Sequence, residues 1–199
     1  CLAEGTWSGS LPTCQCVQKM CDGVCVDLTT DNDHCGECNK RCSAVSPSKA
    51  QCTPTGCLVT LATGFSLEDV VADSQNVYWS DSHNGQVGSV NKVPLGGGPT
   101  TTLASEQRHP RHLALDTSNL YFASDQEAIK KVPIAGGPVT TLATGENVPC
   151  CLVVNGADLY YYSGRGVVRL PLAGGSATPL PGTKGTGYGF ALDSVSVYW

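Results

Sequence analysis

From residue 69 onward, short apolar runs alternate with clusters of Gly, Asn, Asp, Ser and Pro, and no stretch carries a 3.6-residue helical period. The first cycle has four runs, at 69–73, 76–80, 87–93 and 100–104, each of strand length and bounded by turn residues. Its second run contains Val77-Tyr78-Trp79, apolar at both parities, which predicts a strand covered on both faces of its sheet. The cycle then recurs. Tyr78, Tyr121, Tyr160 and Tyr198 sit in matching apolar triplets, spaced 43, 39 and 38 residues apart. The first three triplets are followed by Val93-Pro94-Leu95, Val132-Pro133-Ile134 and Leu170-Pro171-Leu172, each ending in a glycine doublet suited to the positive φ of a hairpin turn. A fixed period of this size marks a stacked or radial repeat. Four strands per period describe a blade of a β-propeller, whereas the turns of a parallel β-helix are shorter.

The expected fold is therefore all-β: a partial propeller of four-stranded blades, with Trp79, Phe122 and Tyr161 in equivalent packing between blades. Leu58-Val59-Thr60-Leu61-Ala62-Thr63-Gly64 matches Thr140-Thr141-Leu142-Ala143-Thr144-Gly145, so the propeller is expected to span 58–199 and to open on an outermost strand. About three and a third blades are legible there, fewer than the roughly four of a closed ring, and the chain reads as a piece of a longer protein.

The front of the chain has another logic. Of the 12 cysteines, ten lie in the first 57 residues, together with only one aromatic, Trp7. So little apolar surface cannot form a sufficient core, and cross-links must hold the segment. Residues 16–57 hold Cys16, Cys21, Cys25, Cys35, Cys38, Cys42, Cys52 and Cys57, an even set read as four disulfides of unassigned connectivity in a loop-rich module. Zinc at Cys35-x2-Cys38 beside His34 is the alternative. Such cysteine usage places the protein in an oxidising compartment, extracellular or at the cell surface. The formal net charge of −5 leaves no basic patch for nucleic acid, and no membrane span is visible.

Three resemblances refine this reading. Cys1-x3-Gly5-x-Trp7-x4-Pro12-x-Cys14 resembles the last quarter of a sushi (complement control protein) module, which assigns 1–15 to its remnant. Cys21-Asp22-Gly23-Val24-Cys25 with Asp33-His34-Cys35-Gly36-Glu37-Cys38 is similar to the stigma-specific-type cysteine-rich module. Tyr78-Trp79-Ser80-Asp81 followed by Lys92-Val93-Pro94-Leu95-Gly96-Gly97 resembles the YWTD repeat of low-density-lipoprotein-receptor-type six-bladed propellers, and more closely related repeats of secreted bacterial proteins. Only this unit keeps the acidic fourth position; the others read Tyr121-Phe122-Ala123-Ser124 and Tyr160-Tyr161-Tyr162-Ser163.

No G-x-S-x-G elbow or H-E-x-x-H pair is present. The 182–187 glycine run lacks the order of a phosphate loop, and Asp31-Asn32-Asp33 reads as a polar turn before it reads as a calcium site, so no cofactor beyond a weak case for calcium is expected. Asp73, Asp116 and Asp193, with Asn155 in the third unit, follow each innermost strand and read as turn-formers. The informative positions lie just before them: Glu68-Asp69, Arg111-His112, Cys150-Cys151 and Tyr188-Gly189. Their neighbours repeat while they vary in chemistry, as expected of a channel rim that either binds one ligand asymmetrically or is merely solvated. Cys150 and Cys151 are expected to pair with each other, to pair elsewhere, or to stay as thiols. The leading expectation is a non-enzymatic binding or adhesion protein for an extracellular protein or carbohydrate. A metal-dependent propeller enzyme of lactonase or lyase type, with Glu68, Asp69 and His112 as ligands, and a rigid spacer are the alternatives.

Overall fold

A computed structural model describes residues 18–42, 50–64, 66–82, 87–125, 127–147, 149–185, 189–193 and 195–199. The chain divides between Ala62 and Thr63 into two compact units. Cys1, Trp7, Cys14, Cys16 and Tyr188, which carry parts of the sequence reading, lie outside the described residues.

The first unit has two hairpins, β1 (Gln18–Cys21) with β2 (Val24–Asp27), and β3 (Ala50–Thr53) with β4 (Gly56–Val59). Its buried apolar side chains, among the described residues, are Cys21, Val26, Cys35 and Cys42. Half-cystines thus occupy the interior that aliphatic residues fill in larger domains. Disulfides join Cys21 to Cys38, Cys35 to Cys52 and Cys42 to Cys57, and Cys25 is also disulfide-bonded. The sulfurs of Cys35, Cys42 and Cys57 lie within 4.8 Å of one another, but each is committed to an S–S bond. Asp31 and Asn32 are used as turn groups: Asp31 Oδ1 accepts the Asp33 N–H at 2.8 Å, and Asn32 Oδ1 accepts the Cys52 N–H at 2.6 Å.

One expectation is corrected here. Leu58 and Val59 do not begin an outermost propeller strand. They belong to β4, whose ladder is already occupied by β3 in a register that pairs Cys52 with Cys57. The similarity of 58–64 to 140–145 is one of composition, and the unit boundary falls five residues later than expected.

The second unit is all-β, with no α-helix among the described residues. Its first sheet runs β5 (Leu67–Ala72), β6 (Asn76–Asp81), β7 (Val87–Pro94), β8 (Thr101–Arg108). The second runs β9 (Arg111–Leu115), β10 (Asn119–Ser124), β11 (Ala128–Pro133), β12 (Thr140–Ala143). The third runs β13 (Cys150–Asn155), β14 (Asp158–Ser163), β15 (Gly166–Pro171), β16 (Thr178–Pro179), and β17 (Ala191–Leu192) pairs with β18 (Val197–Tyr198). All pairings are antiparallel between chain neighbours. These are three complete blades and the inner hairpin of another. The glycine doublets take the expected positive φ, 94° and 145° at Gly136 and Gly137, and the N–H of Gly136 closes the turn on Pro133 O.

The apolar triplets pack as their double parity requires. Tyr78 of β6 shares a buried cluster with Leu113, Leu120, Phe122 and Val132 of the second blade. Tyr121 and Ala123, on the opposite face of β10, share another with Leu152, Leu159, Tyr161 and Val168 of the third. Phe122 and Tyr161 therefore face the preceding blade from equivalent positions. Trp79 holds the same strand position in the first blade and is itself buried.

A single carboxylate sets the turn in three of the four repeats. Asp116 Oδ1 accepts the N–H groups of Ser118 and Asn119, both at 2.6 Å, while Oδ2 accepts the Tyr121 hydroxyl at 2.6 Å. Asp73 does the same with Gln75, Asn76 and Tyr78, and Asp193 with Val195, Ser196 and Tyr198. Burial pushes the Asp116 carboxyl up, but the bonds from Tyr121, Ser118 and Asn119 outweigh it and hold the group below its ordinary value. Tyr78 is correspondingly pushed up to about 12, by burial first and by Asp73 second. The turn-former reading is supported, and Tyr is the partner it lacked. In the third repeat Asn155 instead donates from Nδ2 to Asp193 O at 3.0 Å.

Reductant should unfold the first unit at concentrations that leave the blades intact, since each bridge in so small a module is worth about 2–5 kcal/mol. Alkylation without reduction, read by peptide mass, should leave Cys21, Cys25, Cys35, Cys38, Cys42, Cys52 and Cys57 unlabelled; labelling at these positions contradicts the fold of this unit.

Candidate functional site

The variable pairs named from sequence stand at the starts of β5, β9 and β13, where the innermost strand of each blade leaves regular pairing. The register slips between Leu67 and Asp69 against β6, between the partners of Ala123 and Tyr121 in β9, and between Cys150 and Val153 in β13. These are β-bulges, features that re-aim side chains and frequent sites. His112 and Cys151 have φ of 52° and 58°, the left-handed region that non-glycine residues rarely adopt. The same distortion at the same repeat position in two blades belongs to the fold rather than to either residue.

Asp69 proves to be an inter-blade tie. Its Oδ2 accepts the N–H of Leu113 at 2.6 Å, the residue next to the left-handed His112, and its Oδ1 accepts the N–H of Val70 at 2.8 Å. Glu68 lies in a chain of charge that crosses from the first blade to the second. Ser82 Oγ donates to Glu68 Oε1 at 2.6 Å, and His109 Nε2 lies 3.2 Å from the same oxygen. His109 Nδ1 lies 2.9 Å from Asp125 Oδ1, which is also 3.2 Å from Arg111 Nη2. The Ser82 bond holds the Glu68 carboxyl below its ordinary value against partial burial, with His109 and Arg111 adding to the effect.

Burial and the Arg111 charge push His112 down, while Asp69 and Glu68 pull it up less strongly. The Cys150 and Cys151 sulfurs are 3.1 Å apart and both are thiols. Burial pushes the Cys150 thiol up to about 12. Beside these groups Arg111, Ser124, Asp125, Glu127 and Pro149 line a pocket of about 160 Å³. Two of its donors, Arg111 Nε and Ser124 Oγ, are buried without a hydrogen-bond acceptor.

Glu68 and Arg111 are thus linked through His109 and Asp125, and His112 lies within electrostatic reach of Asp69, Glu68 and Arg111. Tyr188 lies outside the described residues. Glu68, Asp69 and His112 do not gather as a three-ligand set within 4.8 Å; among the described residues only Cys35, Cys42 and Cys57 do. Sequence reasoning missed His109, Ser82 and Asp125. Ser82 and Asp125 occupy one repeat position, immediately after the fourth residue of the triplet motif, so an acid at Asp125 was one residue beyond where the motif directs attention. The 182–187 run is structural where described: Thr183 is buried, its Oγ1 accepts from the Val167 N–H at 3.0 Å, and its hydroxyl donates to Leu180 O at 2.8 Å.

Comparisons with known proteins bear on the cysteine-rich segment and on the fold. Residues 8–58 match the model of the stigma-specific STIG1-like protein family, a match that takes in Cys14 as well as the eight cysteines of 16–57. No curated protein matches the chain. Among solved structures, a chain of a nidogen/laminin complex is similar with a TM-score of 0.54 at 20% identity, over 64% of this chain and 53% of that one. A putative TolB from Agrobacterium tumefaciens is similar with a TM-score of 0.52 at 17% identity, over 65% of this chain and 53% of that one. At such identities the likeness is one of fold, and the chain spans about half the length of each. No helix among the described residues is long and apolar enough to cross a membrane.

His112 should titrate below the ordinary imidazole value near 6.5, measured by NMR of its ring protons. Its folded value is depressed, so the unfolded chain binds the extra proton first. The stabilisation tied to a neutral His112 is complete above about 6.5 and is lost as pH falls through the folded value. A midpoint at or above 6.5 contradicts the burial that places it.

Proposed function

We propose that this chain is part of a secreted, non-enzymatic binding protein whose propeller presents the Glu68–His109–Asp125–Arg111 rim to an extracellular protein or carbohydrate. The observation that carries this reading is the pocket beside Arg111. Buried donors are almost always satisfied in folded proteins, yet Arg111 Nε and Ser124 Oγ have no acceptor and line a pocket that Asp125 and Glu127 also bound. Donors and carboxylates in one recess suit a ligand carrying hydroxyls, amides or a mixed charge. The varied chemistry at equivalent repeat positions supports the same reading.

The commitment of Asp69 to Leu113 and of Glu68 to Ser82 and His109 weighs against a metal-dependent enzyme built on Glu68, Asp69 and His112, because those oxygens are already engaged. In this proposal the disulfide module withstands the extracellular environment, residues 1–15 end a sushi module, and the blades form part of a six-bladed ring of the bacterial surface type that Tyr78-Trp79-Ser80-Asp81 and Lys92-Val93-Pro94-Leu95 resemble.

Glycan arrays and panels of extracellular matrix proteins, probed with the full-length protein, identify a binder. Arg111→Ala and Asp125→Ala should then each weaken that binding at least about tenfold, or about 1.4 kcal/mol, with the β-sheet circular dichroism unchanged. Binding that survives both substitutions moves the site off this rim, and a full panel with no binder favours the spacer.

A further inference from the structure

In a regular strand consecutive side chains point to opposite faces, so adjacent cysteines cannot meet. At the start of β13 they do. The bulge and the 58° φ of Cys151 bring the two sulfurs to 3.1 Å, with the sulfhydryl of Cys151 donating to Cys150 Sγ. The second blade shows the same irregularity and a φ of 52° at His112, so the backbone shape that gathers the thiols is imposed by the repeat. Every other cysteine among the described residues is disulfide-bonded. A close dithiol where every other described cysteine is oxidised is chemistry held in reserve.

We propose that Cys150 and Cys151 form a redox modification site, a dithiol that a small-molecule disulfide converts to a disulfide between adjacent residues on the rim. The two sulfurs differ in access, which orders the steps. Cys150 is buried and Cys151 is half-buried. Cys151 loses its proton and attacks one sulfur of the oxidant RSSR; the S–S bond breaks, and the departing thiolate takes up a proton as RSH. Cys150 then gives up its proton and attacks Cys151 Sγ, breaking the mixed disulfide and releasing the second RSH. The two cysteine sulfurs are oxidised, RSSR is reduced to two RSH, and no other co-reactant is needed.

Burial holds Cys150 as a thiol, which makes it the resolving sulfur and not the first nucleophile. Closure replaces two sulfhydryls with an apolar S–S group next to the Arg111 pocket, which Pro149 also lines. A ring closed through one peptide unit strains that unit, so it should open under milder reduction than the bridges of the first unit. The site requires only the blade geometry and holds whatever the rim binds.

The test incubates the full chain with glutathione disulfide, blocks remaining thiols with iodoacetamide, and digests with trypsin. The peptide spanning 132–165 contains Cys150 and Cys151 and no other cysteine. It should be lighter by two hydrogens and unalkylated, and should gain two alkyl groups when graded reductant is added before blocking, at concentrations that leave the 16–57 cysteines unlabelled. Cys150→Ser should trap one glutathione on Cys151, whereas Cys151→Ser should remain unmodified under the same exposure. A wild-type peptide that still carries two alkylatable thiols after oxidation overturns the proposal, and so does a glutathione adduct on Cys150 in preference to Cys151.

Discussion

The blade region depends on one constraint: the second strand of each repeat is apolar on both faces, so a blade is stable only between two others. β10 shows this most fully. Leu120 and Phe122 are buried against the first blade, and Tyr121 and Ala123 against the third, with at most 1% of any of them exposed. Burying such a side chain is worth about 1.5–3 kcal/mol, and those contributions are available only when both neighbours are in place. The backbone follows the same rule. Asp69 accepts from Leu113 across the first blade boundary, and Lys92 Nζ donates to Ile134 O at 2.7 Å across it as well.

The rim is a consequence of that packing. Once the second strands fix the spacing between blades, the innermost strands must bend to begin beside them, and the bulges at 67–69, 111–114 and 150–153 absorb the bend. Each bulge falls at one repeat position, where neither the apolar triplet nor the Asp–Tyr turn constrains residue type. That freedom lets one blade present Glu68, the next Arg111 and His112, and the third a dithiol. Chemistry at these positions can therefore change without loss of the blades, and the tie through Asp69 shows that some of it is also spent on holding blades together.

The blades were legible in the sequence because each signal had an unambiguous period: triplets at both parities, glycine doublets, and a turn-forming Asp or Asn after each innermost strand. The front module was legible as a disulfide scaffold, though its pairing was not, since spacing does not determine which half-cystines meet. The segment at 58–64 was misread because its composition matches an outer strand, and only the Cys42–Cys57 bridge and the β3 ladder show where its hydrogen bonds go. The variable positions at the starts of β5, β9 and β13 were singled out by contrast between repeats. Their partners were not, because His109 sits in a turn with a φ of 44° and Asp125 lies one residue past its motif. Turn and bulge geometry placed these groups, and neither leaves a periodic mark.

The two-faced strand makes a sharp claim about coupling: residues adjacent in sequence should be independent, while residues in different blades should not. Double-mutant cycles measured by denaturant unfolding test it most directly. Tyr78→Leu with Phe122→Leu should show a coupling of about 0.5–1.5 kcal/mol, the range for a packed aromatic pair. Tyr121→Leu with Phe122→Leu, neighbours on opposite faces of β10, should be additive within about 0.5 kcal/mol. The reverse pattern, with coupling between 121 and 122 and none between 78 and 122, would contradict the blade arrangement on which the rim rests.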